Sequence, residues 1–402
     1  MNFKEEFHTA GFFYIISLVY WISIGIMGAY WTLYLIKQGI PFTSVALILI
    51  MTQIASFLFE IPTGAIADIY GRKVSVFISY FLSALCYFGI LLSKSNISLL
   101  LGLYFILGIA YTFETGALDS WFVDTVKHKK QSKHLHKFFG RWGSTSSIGF
   151  VIGPLIGGFL VLSGVDKALW ATAFVMLLLS GIVLFFGKEE YFQRKKVDLR
   201  KSFNETYITS RKGIKHTWNN KSIFILALVM FILTFAITLA YNSYQPYVVS
   251  IGLNASYLGF ALSIAGFISI FSLNYSHKIT KFLGGNKRSL ILFTLLLGLA
   301  IMSLGLMKYL PLLFFSLIFY TCLYEFAGPS SPAYRELFHK NTPSKIRATV
   351  SSVSSLWNTV GSILALISFG LISTYISLQT GLIVAGVTII ITAFIYIKLR
   401  KK

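Results

Sequence analysis

The feature that most narrows what this chain can become is a series of twelve apolar runs. Each holds about 17 to 25 residues, the length that carries a helix across about 30 Å of hydrocarbon. They fall near 12 to 36, 43 to 63, 74 to 93, 98 to 122, 142 to 164, 169 to 187, 222 to 249, 256 to 276, 289 to 307, 311 to 329, 348 to 372 and 378 to 397. Of 402 residues 55% are hydrophobic and only 12% charged, with a mean hydropathy of +0.73, too apolar for a chain with a wet surface. The expectation is an all-α integral membrane protein of twelve transmembrane helices. The first run is too long for a cleavable signal peptide and lacks its flanks, so it reads as a retained helix.

A formal net charge of +21 raises the question of nucleic acid, and the placement of the charge answers it. Suppose both termini and every connection from an even to an odd run lie on one side. That side then holds all but four of the 35 Lys and Arg residues, the exceptions being Lys37, Lys94, Lys167 and Lys308. This is the positive-inside pattern, and it puts the N- and C-termini in the cytoplasm. The basic balance therefore reports topology; the lipid bilayer is the partner it names, and nucleic acid is not. Cys86 and Cys322 both fall inside apolar runs, where a thiol behaves as a small hydrophobe, and imply no disulfide framework.

The longest polar stretch separates the sixth run from the seventh. It divides the chain into an N-terminal six-helix bundle at 1-187, a cytoplasmic linker at 188-221 and a C-terminal six-helix bundle at 222-402. The halves read as repeats related by a pseudo-two-fold axis. Tyr34 and Gly39 match Tyr247 and Gly252, Gly116 and Asp124 match Gly328 and Glu336, and Gly71 matches Gly284, all at an offset held to within one residue.

Between the second and third runs, residues 64 to 73 read GAIADIYGRK, a short turn that concentrates charge. Gly64 lets helices approach closely, Gly71 permits a tight reversal, and Arg72 with Lys73 holds the turn on the cytoplasmic side. Asp68 needs a cationic or helix-N-terminal partner. These residues fit G-x-x-x-D-x-x-G-R-K. With the twelve runs, the cytoplasmic termini and the six-plus-six repeat, they make the chain resemble the major facilitator superfamily over essentially its whole length. The resemblance implies two bundles that rock about a latch at this turn. Asp124 is the implied partner of Arg72, and the start of the eleventh run near Arg347 and Thr349 that of Asp68. Glu60, in FEIPTG, is placed with the same latch. The second copy of the turn departs from the pattern, with Lys281 where Asp68 would stand and Asn286 where Arg72 or Lys73 would.

Residues 149 to 158 read GFVIGPLIGG and match G-x-x-x-G-P-x-x-G-G, a pattern associated in that superfamily with drug/proton antiporters. Gly149, Gly153 and Gly157 recur at every fourth residue along one helix face, with Gly158 beside them, so a neighbouring helix can pack against bare backbone; Pro154 bends the helix and frees a carbonyl. Proton-coupled exporters of the family carry an Arg in the outer part of the fourth span. Here LGLYFILGIAYTFETG has none, a departure from the usual arrangement for proton coupling.

Glu60, Glu114, Asp119 and Glu325 lie at or near membrane depth. A carboxylate at a helix centre costs about 2.5 to 3.5 kcal/mol, so several of them together suggest a use. Glu114, Glu325 and Asp119 are the expected proton-coupling set. Asp119 stands five residues from Glu114, about 140° around a helix, so the two are not expected to face one cavity squarely; Glu114 is placed in the cavity and Asp119 as its packing or gating neighbour. No Lys or Arg lies well inside any run, which disfavours an anionic substrate. Aromatic and amide residues supply the expected substrate surface: Tyr30, Trp31, Tyr111, Tyr241, Asn242, Tyr244, Gln245, Tyr324, Trp357 and Asn358. Nucleotide loops, metal-spaced His/Cys sets and nucleophile–base pairs are absent from the sequence, so no enzyme, cofactor or metal is expected. The resemblance thus implies a monomeric secondary transporter in a prokaryotic cytoplasmic membrane, expelling amphipathic cationic or neutral small molecules with the proton gradient as energy source. Proton-coupled uptake of a small nutrient is the alternative. A membrane sensor or lipid translocator would leave the latch and the acids idle.

Overall fold

A backbone in hydrocarbon must satisfy its own hydrogen bonds, and a helix does so within one segment. In the computed structural model every regular element among the described residues is helical. Those residues are 3–189, 191, 192, 208, 211, 214–327, 331–342 and 347–398. The side chains of Glu325, Arg347 and Thr349 lie outside this description, as does most of 188 to 221.

The chain divides into two compact units, Met1–Tyr34 with Met51–Phe203, and Leu35–Ile50 with Asn204–Lys402. The helices through the first half are α1 (Phe3–Gly28), α2 (Trp31–Lys37), α3 (Phe42–Tyr70), α4 (Arg72–Leu92), α5 (Ile97–Glu114), α6 (Ala117–His128), α7 (Leu135–Val161) and α8 (Val165–Phe186). Those of the second half are α9 (Lys221–Ser250), α10 (Ser256–Phe282), α11 (Asn286–Leu306), α12 (Leu310–Ala327), α13 (Pro332–Asn341), α14 (Arg347–Tyr375) and α15 (Leu378–Ile395).

Among the described residues ten helices are long and apolar enough to span a membrane, against the twelve expected. The other two runs are present in altered form. The eighth is a bent pair, Ser256–Ile270 and Tyr275–Phe282, meeting at 81°, and the tenth falls, among the described residues, on a shorter apolar stretch, Leu310–Tyr324. The first span begins at Phe3 rather than near residue 12. Its opening turn is charged, yet Glu6 is wholly buried: it meets Arg141 at 2.8 Å and Lys137 at 3.1 Å, and accepts a hydrogen bond from the Tyr14 hydroxyl at 3.1 Å. A charge satisfied in this way does not end a helix.

Small residues set the packing within the first unit. A Cβ at Gly149 would stand 2.6 Å from the Leu18 carbonyl oxygen, and Cβ atoms at Gly153 and Gly157 would run into those of Ile22 and Ile26. The glycine face of α7 is therefore pressed against the backbone of α1, and α7 runs on through Pro154 without a break. Gly108 of α5 meets Thr52 of α3 in the same manner, with the Thr52 and Ser56 hydroxyls donating to the carbonyls of Tyr104 and Gly108. In the second unit Gly361 of α14 meets Phe231 of α9, and Gly298 of α11 faces Gly386 of α15.

Local backbone repeats between the halves. Gly39 and Gly252 both have positive φ, and each turn closes with the same two hydrogen bonds: Gly39 to Ile36 and Ile40 to Leu35, Gly252 to Val249 and Leu253 to Val248. The turn at Gly71 (φ 102, ψ 152) finds its copy at Gly285 (φ 109, ψ 168). The sequence match of Gly71 to Gly284 is thus displaced by one residue, because the paired glycines at 284 and 285 offer two positions and only the second precedes a helix.

Candidate functional site

The charged turn begins from a helix that must start. Gly71 has no side chain to cap α4, and its positive φ suits glycine. The orphan N–H groups of Arg72 and Lys73 instead donate to the Glu189 carboxylate, each at 3.0 Å. Arg72 reaches Asp68 at 3.3 Å and Asp124 at 3.4 Å, which gathers the four charges of the turn, α6 and the chain beyond α8 in one place. Tyr191 fastens this segment further, its hydroxyl donating to the Trp121 carbonyl at 2.9 Å and lying 3.0 Å from the Thr125 hydroxyl; the Trp121 indole donates to the Lys188 carbonyl at 3.2 Å. Burial pushes the Tyr191 phenol up to about 12, so it remains a donor at any physiological pH. Ala67, Asp68, Arg72, Asp124, Glu189, Tyr191 and Phe192 enclose about 230 Å³.

Two expected members of this cluster stand apart from it. Glu60 is exposed and is not among the residues that line this space, which lies two turns further along α3. Among the described residues nothing lies within 4 Å of where a Cβ at Gly64 would be. In the second half Asn286 hydrogen-bonds the Glu336 side chain, a neutral counterpart of Arg72 with Asp124. Lys340 and Asn286 together hold the Glu336 carboxyl below its usual range.

A second site forms where the fourth span breaks. α5 ends at Glu114, Gly116 takes φ +73 in the left-handed region, and α6 starts at Ala117. On an unbroken helix Glu114 and Asp119 would point about 140° apart. The break turns the second segment, so both line one cavity of about 310 Å³ together with Ser17, Tyr20, Trp21, Ile24, Leu118, Trp142 and Ser146. The separation expected for the two acids is corrected accordingly. Among the described residues no Lys, Arg or His lines this cavity, and neither carboxylate has an ion-pair partner. Ser17 and Ser146 share a hydrogen bond of 2.7 Å across α1 and α7 at its wall. The Tyr20 ring lies tilted at 5.5 Å from that of Tyr80, a phenol 1% exposed whose hydroxyl has no partner among the described residues.

The aromatic and amide residues fall into one cluster per unit. In the first, Trp31 lies 5.4 Å from Tyr87 and 6.3 Å from Tyr104, and the hydroxyls of Tyr87 and Tyr111 are 3.0 Å apart; Tyr30 is wholly buried. In the second, Tyr244 contacts Tyr241 and Tyr320, and Tyr241 hydrogen-bonds Gln245. Asn242 donates to the Thr238 carbonyl, Asn358 accepts from the Thr234 hydroxyl, and Trp357 packs on Phe231. Tyr30, Asn242, Tyr244 and Gln245 are buried inside their own units, so packing rather than an open path holds them in this structure. Tyr324 is half-buried, and Glu325 beside it lies outside the described side chains.

Sequence reasoning missed Glu189, Glu6, Tyr20, Trp21 and Trp142. An acid directly after a span end, in GKEEYF, is the one available signal for Glu189, since a helix start preceded by glycine needs an outside acceptor. The aromatics carried no signal, being ordinary members of apolar runs.

Residues 13–366 match the family model of the Major Facilitator Superfamily. The chain is 23% identical over 390 residues to the uncharacterised MFS-type transporter YxaM of Bacillus subtilis, covering 96% of this chain and 94% of that one. It is 22% identical over 369 residues to the uncharacterised MFS-type transporter MJ1560 of Methanocaldococcus jannaschii, covering 88% of each. The crystal structure of the nucleoside transporter NupG superposes with a TM-score of 0.78 over the full length of both chains at 15% identity, a likeness that shows the fold.

Proposed function

This chain belongs to the Major Facilitator Superfamily and is a membrane transporter, and from that premise we propose that it expels amphipathic cationic or neutral small molecules in exchange for protons. One observation carries the reading: Glu114 and Asp119 share an aromatic-walled cavity that, among the described residues, has no basic side chain in its lining. Such a cavity attracts cations by cation–π contact and a carboxylate counter-charge, and it repels anions. Glu114 is the group that takes up a proton when a cationic substrate leaves and releases it as the next one enters, the cavity opening to one side at a time. Glu325 is proposed to do the same in the second half. The positive-inside charge pattern supports cytoplasmic termini in a cell membrane, with the acidic cavity nearer the cytoplasmic end of the fourth span.

A second reading, proton-coupled uptake of a small nutrient, is favoured by one feature: Ile97–Glu114 carries no Arg, where exporters of this family have one.

Both readings are tested in proteoliposomes holding a pH-sensitive dye, with an imposed proton gradient and a screen of lipophilic cations against amino acids, sugars and nucleosides. Proton flux evoked by organic cations, and abolished in a folded Glu114→Gln protein, is the expected outcome. Full flux in that variant removes Glu114 from the mechanism. Flux evoked only by a nutrient, with proton and solute moving together, replaces export by uptake.

A further inference from the structure

The segment that leads into α9 has its amphipathic pattern inside out. Residues 208, 211 and 214–219 are helical, and Asn220 then caps α9 by accepting from the Ser222 and Ile223 amides. On a helix packed against a protein core the apolar side chains turn inward and the polar ones outward. Here the buried residue is Thr217, 3% exposed, while Ile208, Ile214 and Trp218 stand 50%, 45% and 63% exposed. Arg211 and Lys215 are exposed with them, and positions 208, 211, 215 and 218 recur at the three- and four-residue spacing that keeps to one face.

Two further features say what that face meets. The first is charge. From 206 to 221 the chain carries four Lys and Arg residues and no acid, and among the described residues Arg211, Lys215 and Lys221 have no ion-pair partner. The face is therefore complementary to an anionic surface. The second is depth. The Trp218 ring lies 5.2 Å edge-on from Phe224, in the first turn of α9, a helix long and apolar enough to cross a membrane. This holds the indole at the end of a span, the level at which tryptophans settle among lipid headgroups. Exposed apolar side chains and unpaired cations sharing one helix face, at that depth, are the composition of a helix lying in an anionic bilayer surface. A soluble acidic protein would match the charge and leave the apolar side chains without a use.

We propose that this segment lies on the cytoplasmic leaflet as an interfacial anchor, with Ile214 and Trp218 set among the upper acyl chains and Arg211 and Lys215 holding the headgroups of anionic phospholipids. The inference is independent of the export reading and takes from it only the cytoplasmic placement of the linker.

The test uses the full-length protein in nanodiscs, with a nitroxide label on Ile214→Cys in a Cys86→Ala, Cys322→Ala background. With about 30 mol% phosphatidylglycerol in phosphatidylcholine, the label should collide more often with oxygen than with a water-soluble nickel chelate, as a group below the headgroups does. In phosphatidylcholine alone its accessibility to the chelate should rise about twofold, because the attraction of each basic residue to anionic lipid is gone. The same rise is expected with phosphatidylglycerol present when Arg211→Gln and Lys215→Gln are combined. The comparison of the two lipids needs no charge variant, so it decides the case even where that double variant fails to fold. A label open to the chelate in both lipids, or equally shielded in both, overturns the proposal. Dipolar broadening between labels would give the face to a second copy of the chain and overturn it as well. Proton-driven efflux in the same nanodisc-competent protein, measured separately after reconstitution in vesicles, bears on the export reading alone.

Discussion

Glu189 shows how much one side chain can settle at a helix start. Two backbone N–H groups at 3.0 Å end on one carboxylate, and the glycine before them can offer nothing in its place. Helix caps contribute about 1 kcal/mol, and charge-assisted bonds roughly twice a neutral one, so Glu189→Ala should destabilise the protein by about 1–2 kcal/mol. The expected reading is a lowered thermal midpoint in detergent with a smaller fall for Glu189→Gln, which keeps an acceptor; an unchanged midpoint in the alanine variant would refute the cap. Nothing local in the sequence announces the contact, because donor and acceptor are more than a hundred residues apart. Glu6 was illegible for the same reason. Its pairing should be worth less than the about 3–5 kcal/mol lost when a fully buried ion pair is broken. Lys137 and Arg141 remain 47% and 40% exposed and can fall back on water. Glu114 and Asp119, in contrast, stand out from the sequence as acids in an apolar run, and what could not be read was that they face the same space.

At the scale of the element, that failure traces to the break at Gly116. A periodicity argument assumes a continuous helix, and the rotation between Glu114 and Asp119 is set by two non-helical residues, Thr115 with ψ 124 and Gly116 with φ +73. The glycine face of α7 was more legible, since spacing at every fourth residue fixes a face whatever the partner; only the partner, α1, had to come from the structure. Two substitutions in α7 separate packing from propensity. Gly153→Ala places a Cβ against the backbone of Ile22 and Gly25, neither able to retreat without parting the helices, and should cost about 1–3 kcal/mol. Gly143→Ala meets nothing within 4 Å and should be neutral or gain about 0.5–1 kcal/mol of helix propensity. Thermal midpoints measured side by side check this; equal effects would mean that the interface yields.

For the molecule as a whole, the fold class was legible because hydrocarbon leaves so few options. Runs of the right length, basic residues gathered on alternate connections and a nearly constant repeat offset each constrain the chain independently of side-chain detail. The boundaries were not, because a charge satisfied inside the protein, as at Glu6, looks in sequence like the end of a span, and a kink such as that in Ser256–Phe282 leaves no apolar gap. The charge pattern makes a global prediction of its own. A protease-cleavable tag fused after Lys402 should resist external protease in intact cells or spheroplasts and be removed in inverted vesicles; removal in intact cells would reverse the orientation.

The strap of Lys188 to Phe192 bears on where this gene can be divided. A first fragment that stops at Gly187, the end of its last apolar run, would leave the Arg72 and Lys73 amides bare and the Trp121 indole without its acceptor. A fragment carried five residues further keeps all three bonds within itself. The natural seam for splitting, circularly permuting or grafting this half onto another transporter therefore lies after the strap, and a chimera joined at the hydropathy boundary would begin life without one of its own helix caps.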